Sequence, residues 1–580
     1  MSPAFLHTSR SRILAAVIFS VVAVFSARLF YIQVIQHGHY ASLADQEQLK
    51  KDRIPAKRGL IYAKNGVDVS PLVMNETVYT AFADPAVIEE KGKVIDIFKQ
   101  VAGGNVRKDF ELLLDKTDTR YQILATKLTR LQADKIKKEN LYGIGFQAMS
   151  QRVYPEGKLA SQLLGFVDTE GVGTYGLESY MNTNLKGVDG RLETVTDVSD
   201  VPLTIGDRNI REPARDGQDL VLTIDRNIQS YAEKALADGL RRTGADKGSV
   251  LIMDPQSGKV MAMANLPTYD PAKYYEVNDV SVFNNGAISS PYEPGSDVKT
   301  LTMAVGIDKG VVKPEDTFLN TDSVRIDGWT ISNYVKGHTG MITFQTALTW
   351  SLNTGFVTVA QRLGDGKTIT RSARDTMYHY FHDRFRLGQL TGVELANESR
   401  GVLFAPNTSE GNAIRYATMA FGQGMDATLV QITAGFSAMI NGGSYYKPTV
   451  IDGHMDGGKF KPNDAPRPIE TGVVKDSTSS QMRSMMEKAR KSSFGYLDRK
   501  GYKIGGKTGT SQVAHPNGGY RTDESIGTYL GYGGTNKPEY VIMVSVSGEG
   551  KELQGARDAM PIFTDISNWI IDYLKLEPKG

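Results

Sequence analysis

The sequence predicts an α+β protein with one membrane-spanning helix near its N-terminus and two domains after it. Three patterns indicate this: a long apolar run, a middle region of short β-like runs and polar helices, and a C-terminal region in which early and late strands flank a helical middle. The 580 residues also exceed what one hydrophobic core usually organises. We therefore expect a polar head at residues 1–12, a transmembrane anchor at 13–35, a non-catalytic domain at 36–215 and a catalytic domain at 216–580.

The predicted anchor is mostly apolar and carries one charged residue, an arginine. Residues 13–35 are enough, at ~1.5 Å per residue, to cross a hydrocarbon core of ~30 Å. A cleaved signal peptide ending near residues 24–26 is the alternative, but a signal would not need the second apolar half. Basic residues flank the run on both sides, so charge alone leaves its orientation open.

The middle region shows no catalytic constellation. Its helical stretches, such as residues 95–101 and 128–138, are polar, and their charges are typical of solvated faces. A partner-binding role for these faces stays open. Residues 206–219 are polar, with glycines and a proline, and are interpreted as the linker into the C-terminal domain.

The C-terminal region predicts an antiparallel sheet packed by helices beside an α-rich subdomain, with the active site between the two. A strand at 220–224 and a helix at 228–240 precede a hairpin that turns at 254–258. Further elements follow the helical middle of residues 296–442: strands at 507–512, 529–532 and 540–546, a loop at 514–525, and a final helix with an apolar face.

Composition excludes several classes of function. The net charge is only +2, which gives no reason to expect a nucleic-acid partner. There is no cysteine, so disulfides and thiolate chemistry are excluded. The eight histidines lack the spacing of metal ligands, and we expect neither a metal site nor a cofactor.

The first candidate for chemistry is Ser296, which follows the bend made by Pro294 and Gly295 and is expected to open a helix. Lys299 lies one turn further on the same face. A serine hydroxyl becomes a strong nucleophile when a base takes its proton, and a lysine with a lowered pKa can serve as that base. Taken alone, the pair is weak evidence for catalysis, and an N-cap serine followed by a solvated lysine is the simpler interpretation.

Two further motifs favour the catalytic interpretation. Ser351-Leu-Asn353 and Lys507-Thr508-Gly509-Thr510 follow in the order of the S-x-x-K, S-x-N and K-T-G motifs of serine acyl-transfer enzymes. Each could be an ordinary helix start or strand by itself. The three in order predict one active site.

With these motifs the sequence resembles the class B penicillin-binding proteins, peptidoglycan D,D-transpeptidases. The resemblance extends over most of the chain, through further matching segments at residues 58–66, 152–155, 176–178, 254–258, 421–424 and 561–563. It implies an elongated, β-rich pedestal of the dimerisation type followed by a penicillin-binding transpeptidase domain. Ala63 and Lys64 stand where the family usually has Asp-Arg, so one local salt bridge of the family is not predicted for this chain.

The resemblance assigns roles to the first two motifs. Ser296 would attack the carbonyl between the terminal D-alanines of a stem peptide, and Lys299 would accept its proton. Ser351 would relay a proton near the leaving amine, and Asn353 would hold the substrate backbone. Backbone N–H groups of Ser296 and Thr510 are the candidates for stabilising the oxyanion.

The third motif would bind the substrate. Lys507 would recognise the terminal carboxylate and help keep Lys299 unprotonated, while Thr508 and Thr510 offer hydroxyls to that carboxylate. Gly509 would let the acyl chain lie close to the strand. Asp297 departs from the small or hydroxylic residue usual after the nucleophile. Pointing into the cleft it would oppose the base role of Lys299; facing away it would favour the helix N-terminus.

The resemblance also implies partners and a location. These are stem peptides ending in D-Ala-D-Ala, β-lactams, and a SEDS-family glycosyltransferase with other division proteins, in the bacterial inner (cytoplasmic) membrane with the catalytic domain on the periplasmic side. Septal cell-wall synthesis is favoured by S-x-N, a compact pedestal and the overall length. An elongation-type transpeptidase, a β-lactamase, a β-lactam sensor and a division scaffold with dispensable catalysis are the alternatives.

Overall fold

A computed structural model describes residues 4–195, 210–515 and 518–578. The chain forms two compact units. One comprises Met1–Arg58 with Lys186–Gly217, and the other comprises Gly59–Leu185 with Gln218–Gly580. Residues 206–209 of the predicted linker lie outside the described residues, and residues 210–212 form a strand.

The first unit begins with the predicted apolar helix. It consists of an α-helix, Ala4–Phe30, a π-helical turn, Tyr31–Ile35, and a second helix, His37–Gln48. The stretch Arg10–Ile35 is long and apolar enough to cross a membrane, and it is exposed along its length. Strands Leu49–Ile54 and Ile210–Glu212 pair with the two sides of Gly190–Val195.

A mixed sheet organises the N-terminal part of the second unit. Strand Leu220–Asp225 runs parallel to Ile61–Asn65 and antiparallel to Ile451–Asp456, so early and late segments of the chain share this sheet. The remaining strands extend it at both ends: Asp68–Ala83, Gln122–Leu128, Ile144–Val153 and Lys459–Pro462. The segment predicted to start the catalytic domain is therefore built into the same sheet as strands of the non-catalytic region.

Short helices cover this sheet. The two predicted helices are present as Lys91–Val101 and Arg130–Lys138, and their apolar faces pack into a separate core around Phe98. The other short elements are Gly103–Asn105, Phe110–Leu113, Ser161–Leu164, Phe166–Val167, Gly173–Thr174, Gly176–Tyr180 and Asn182–Lys186.

Two ion pairs fix this region. Arg152 Nε lies 2.8 Å from Glu178 Oε1 with both side chains buried. Lys64, which stands where the family usually has an arginine, also forms an ion pair, because its Nζ lies 2.7 Å from Asp452 Oδ2. A lysine thus supplies the positive charge at this point.

A five-stranded antiparallel sheet, counted over the described residues, forms the centre of the C-terminal part. Its strands, in spatial order, are Val260–Leu266, Lys247–Met253, Pro538–Ser547, Tyr520–Gly534 and Lys503–Ala514. The predicted hairpin is confirmed, with Val250 opposite Ala264. The predicted loop at 514–525 is wrong for residues 520–525, because polar residues with alternating exposure begin a strand at Tyr520.

Helices pack on both faces of this sheet. Arg226–Thr243 and Met560–Tyr573 share one core with it, and Ile562, Ile566 and Ile570 of the final helix are buried as predicted. The opposite face meets the larger core, to which Val298–Asp308, Leu429–Ile440 and Asp476–Ser493 contribute.

The α-rich subdomain completes the fold. Its α-helices are Gly286–Ser289, Phe344–Thr349, Asn353–Arg362, Arg371–Tyr378 and Ala413–Met419. Small strand pairs are Thr317–Asn320 with Gly340–Thr343, Ser323–Ile326 with Trp329–Ser332, and Ser444–Tyr445 with Glu470–Thr471. The remaining short helical turns are Pro271–Glu276, Val280–Phe283, Gly295–Asp297, His379–Arg384, Gly495–Leu497 and Gly555–Ala559.

Candidate active site

Ser296 lies in a tight turn against the edge of the five-stranded sheet. The turn, Gly295–Asp297, is 3-10 helical and continues directly into the α-helix that begins at Val298, so the predicted helix starts at Ser296 with a tighter first turn. Gly295 has φ +57°, and a Cβ there would lie 2.7 Å from Ser511 Oγ. Glycine is required because the turn is left-handed at this point and presses on the strand.

The segment 421–424 supports the turn from behind. Gly295 N–H donates to Gly422 O at 2.9 Å. Gly422 has φ +86°, and a Cβ at this position would lie 1.9 Å from Gly295 O. The two glycines therefore allow two backbone segments to touch and fix the place of Ser296.

The hydroxyl of Ser351 links the predicted nucleophile and base. Ser351 Oγ lies 3.0 Å from Ser296 Oγ and 3.0 Å from Lys299 Nζ. Lys299 Nζ also donates to the carbonyl oxygen of Ser351 at 2.7 Å. A continuous hydrogen-bonded path thus runs from the Ser296 hydroxyl through Ser351 to the Lys299 amine.

Lys299 is buried, with 1 % of its surface exposed. Burial lowers its pKa well below the usual value, and the charge of Lys507 lowers that pKa further. Phe356 lies below the amine, with its ring centre 5.6 Å from Nζ. Burial and the Lys507 charge together favour the neutral amine, the form that accepts a proton, whereas the Phe356 ring by itself would favour the ammonium form.

Ser351 adopts a backbone conformation that is rare for a residue with a side chain. Its φ is +57°, just before the helix Asn353–Arg362. Such strain is typical of residues that surrounding structure holds in place for function. Asn353 Nδ2 donates to Ser332 O at 2.9 Å, which orients the amide at the mouth of the site.

The K-T-G motif lies on the edge strand Lys503–Ala514, where side chains alternate between two faces. Lys507 and Gly509 are buried on one face, whereas Thr510 is exposed on the other. Lys507 Nζ donates to Thr508 O at 2.8 Å and to Thr508 Oγ1 at 3.2 Å. Thr510 Oγ1 accepts from Gly555 N–H at 3.3 Å. The Lys507 amine thus reaches the Thr508 hydroxyl, while the Thr510 hydroxyl lies on the exposed face of the strand.

Asp297 follows neither alternative raised from the sequence. Its carboxylate is buried under the edge strand, where Thr528 Oγ1 donates to Oδ2 at 2.6 Å. Burial and the charge of Lys507 account for the lowered pKa of Lys299. The Asp297 carboxylate therefore does not stabilise the protonated form of Lys299.

Glycine is required at position 509 for a structural reason, in addition to its predicted role beside the acyl chain. A Cβ at this position would lie 2.1 Å from Thr528 Oγ1 and 2.7 Å from Asp297 Oδ2. Sequence reasoning missed Thr528, because the strand register that sets it opposite Gly509 is not visible in any local motif.

A β-lactamase would need a group that activates water, but the carboxylate of Glu394 has a different role. Glu394 Oε1 lies 2.7 Å from Lys447 Nζ, and Oε2 accepts the N–H of Val450 at 3.0 Å. Both carboxylate oxygens are engaged in holding neighbouring chain segments together. This arrangement does not supply a base for activating water next to Ser296.

A nucleophilic serine, a buried lysine and a bridging serine, facing a K-T-G strand, define the class of serine acyltransferases with a penicillin-binding fold. The comparisons identify the family. The penicillin binding protein transpeptidase domain matches residues 248–568, and the penicillin-binding protein dimerisation domain matches residues 53–222. The chain belongs to the penicillin-binding protein family, with both domains of the class B architecture.

Relatives over nearly the whole chain agree with this membership. Stage V sporulation protein D of Bacillus subtilis is 30% identical over 582 residues, which cover 99% of this chain and 87% of that protein. Peptidoglycan D,D-transpeptidase FtsI of Escherichia coli K12 is 28% identical, covering 98% of this chain and 92% of its own length. A peptidoglycan synthetase structure from Bifidobacterium adolescentis, 26% identical, superposes with a TM-score of 0.70 over 92% of this chain and 98% of that one.

Proposed function

We propose that this protein is a serine D,D-transpeptidase that cross-links peptidoglycan stem peptides through an acyl-enzyme on Ser296. The observation that carries the proposal is the position of Ser351 Oγ, 3.0 Å from both Ser296 Oγ and Lys299 Nζ. Such a path can move the nucleophile's proton to a buried, neutral amine. The site residues of the proposal are Ser296, Lys299, Ser351, Asn353, Lys507, Thr508, Gly509 and Thr510.

Acylation forms one bond and breaks another. Ser296 Oγ attacks the carbonyl carbon between the two terminal D-alanines, and its proton passes through Ser351 to Lys299. The tetrahedral oxyanion is stabilised by the backbone N–H groups of Ser296 and Thr510, each worth about 3 kcal/mol in comparable enzymes. When the C–N bond breaks, the leaving amine takes a proton back along the same path and D-alanine departs.

The edge strand binds the donor peptide, and a second peptide resolves the ester. Lys507, with the hydroxyls of Thr508 and Thr510, pairs with the terminal carboxylate of the donor. An amine from a neighbouring stem peptide then attacks the ester carbonyl and gives up its proton to Lys299. The acyl C–O bond to Ser296 breaks, the proton returns through Ser351 to the Ser296 oxygen, and the cross-linked product departs. β-Lactams acylate Ser296 in the same way and persist as esters.

The proposal places the protein in the membrane by its N-terminal helix. Residues 1–12 form a cytoplasmic head, 13–35 the anchor, 36–215 the pedestal and 216–580 the transpeptidase domain. The catalytic domain then lies on the periplasmic side of the inner membrane, beside a SEDS-family glycosyltransferase that polymerises the glycan. The similarity to peptidoglycan D,D-transpeptidase FtsI of Escherichia coli supports a septal role over an elongation role.

Turnover of a synthetic stem pentapeptide ending in D-Ala-D-Ala tests the activity. With an acceptor amine present, the full-length protein in detergent releases D-alanine and forms the cross-linked product, and Ser296→Ala forms neither. Growth of cells whose only copy is Ser296→Ala separates catalysis from scaffolding. Normal division in such cells would favour the scaffold alternative.

A further inference from the structure

The nucleophile turn contains a buried carboxylate that the reaction described above does not use. Asp297, directly after Ser296, has no exposed surface. Thr528 Oγ1 donates to its Oδ2 at 2.6 Å, and Thr528 itself is fully buried. Among the residues that the structure describes, Asp297 Oδ1 has no hydrogen-bond partner. Placing a carboxylate here is costly unless its charge is balanced.

The balancing charge lies on the K-T-G strand. Thr528 is directly opposite Gly509 in the sheet, and a Cβ at Gly509 would lie 2.7 Å from Asp297 Oδ2. Lys507 is two residues from Gly509 and therefore projects from the same face of the strand. Lys507 is itself buried, with 4 % of its surface exposed. Asp297 and Lys507 thus share one interior layer under the strand.

We propose that Asp297 is a positioning residue for the acylation step: its buried carboxylate keeps Lys507 protonated, and so able to bind the substrate carboxylate at neutral pH. The inference rests on the proposed transpeptidase function and concerns the charge of Lys507 within it. Asp297 does not touch the substrate and acts through Lys507.

The electrostatics of the layer agree with this role. Burial raises the pKa of Asp297, and the Thr528 hydrogen bond and the charge of Lys507 oppose that rise. Burial lowers the pKa of Lys507, and the charge of Asp297 opposes that fall. Each group therefore favours the ionised form of the other.

The other titratable groups of this layer do not compete for the role. Burial raises the pKa of Tyr292 well above its usual value and raises the pKa of Tyr529 to about 12. The negative charge of Asp297 also acts to raise both pKa values. Both phenols are neutral at pH 7. Lys299 feels the charge of Lys507 and is favoured in its neutral form.

The proposal predicts the direction of a pH shift. Binding of the substrate carboxylate needs protonated Lys507, so acylation declines as the pH rises through the pKa of Lys507. Without the Asp297 charge that pKa falls further, and the decline moves to lower pH. A purely structural role of Asp297 would lower the rate at all pH values and leave the midpoint in place.

The test measures the second-order rate of acylation by a fluorescent penicillin across pH, with full-length protein in detergent. For Asp297→Asn, which keeps an acceptor for Thr528, we expect the alkaline midpoint to move down by about 1 pH unit. Thr528→Val removes the hydrogen bond that favours ionised Asp297, and we expect a smaller shift in the same direction. This second variant decides the matter if Asp297→Asn does not fold.

Asp308→Asn is the matched control. Asp308 is also buried, at the far end of the same helix, where it accepts hydrogen bonds from Tyr380 and Thr478. The alkaline midpoint of acylation by Asp308→Asn should equal that of the wild type. An unchanged midpoint in Asp297→Asn, or an equal shift in Asp308→Asn, overturns the inference. A penicillin adduct on Ser296 in every variant keeps the proposed function standing in either case, and its absence from the wild type would overturn that function separately.

Discussion

The hydroxyl of Ser351 lies 3.0 Å from the hydroxyl of Ser296, within hydrogen-bonding distance. The two residues belong to different parts of the chain: Ser296 lies in the turn Gly295–Asp297, and Ser351 comes just before the helix Asn353–Arg362. Lys299 Nζ contacts the same Ser351 hydroxyl at 3.0 Å. The S-x-N serine is therefore part of the path that activates the nucleophile as well as a neighbour of the leaving group. This arrangement adds to the sequence-based view, in which Lys299 alone takes the proton of Ser296.

Replacing Ser351 by alanine tests that path. Ser351→Ala should lower the second-order rate of penicillin acylation by about 10²-fold or more, the lower part of the range for positioned proton transfer. The protein should keep its thermal stability, because Ser351 is only half-buried. Rapid-quench measurement with a fluorescent penicillin gives the rate, and Ser492→Ala, at the exposed end of the helix Asp476–Ser493, is the control. Acylation of Ser351→Ala at the wild-type rate would exclude the relay.

Removing the charge of Lys507 should shift the acidic limb of the pH profile of penicillin acylation. Lys299 must be neutral to act as base, and Lys507 helps to lower its pKa. In Lys507→Ala the pKa of Lys299 rises, so the neutral amine appears only at higher pH and the acidic midpoint moves up. Residual acylation of Lys507→Ala measured from pH 5 to pH 10 checks this. The exposed Lys500→Ala should leave the midpoint where it is.

Gly509→Ala should destabilise the transpeptidase domain. The added Cβ would lie 2.1 Å from Thr528 Oγ1 and 2.7 Å from Asp297 Oδ2, so the strand or the turn must move. Overpacking of this kind costs about 1–3 kcal/mol. Thermal unfolding followed by intrinsic fluorescence should show a lower Tm. Gly92→Ala, whose Cβ would meet nothing within 4 Å, provides the comparison, and an equal Tm for both variants would contradict the close contact.

A second stability prediction concerns the buried ion pair in the dimerisation domain, residues 53–222. Arg152→Met leaves the fully buried carboxylate of Glu178 without its 2.8 Å partner. Removing one member of a buried pair costs about 3–5 kcal/mol. Denaturant unfolding of the full-length protein measures the loss. Arg120→Ala, which removes an exposed pair with Asp84, should cost about 0–1 kcal/mol.

The sequence predicts the parts of this protein that depend on short-range patterns. The order of the three motifs predicted that Ser296, Lys299, Ser351 and the K-T-G residues form one site, and two apolar runs flanking a turn identified the hairpin around residues 254–258. Periods of two and 3.6 residues are local properties, so the strands and the amphipathic helices could be found with approximate bounds.

What the sequence could not predict depends on register and on pairing at long range. The contact of Asp297 with Thr528 joins residues 231 positions apart across a sheet whose register no local pattern specifies. Likewise, the parallel pairing of Leu220–Asp225 with Ile61–Asn65 joins regions that composition had divided. The ion pair of Lys64 with Asp452 escaped prediction for the same reason.

The most direct test of the account is the intact mass of the full-length protein after exposure to benzylpenicillin, followed over hours. The account predicts a mass increase of one penicillin on the wild type, located on the peptide containing Ser296, persisting for hours, and absent from Ser296→Ala. An adduct on Ser296→Ala, or none on the wild type, would contradict the acyl-enzyme. An adduct lost within seconds would contradict the transpeptidase and favour a β-lactamase.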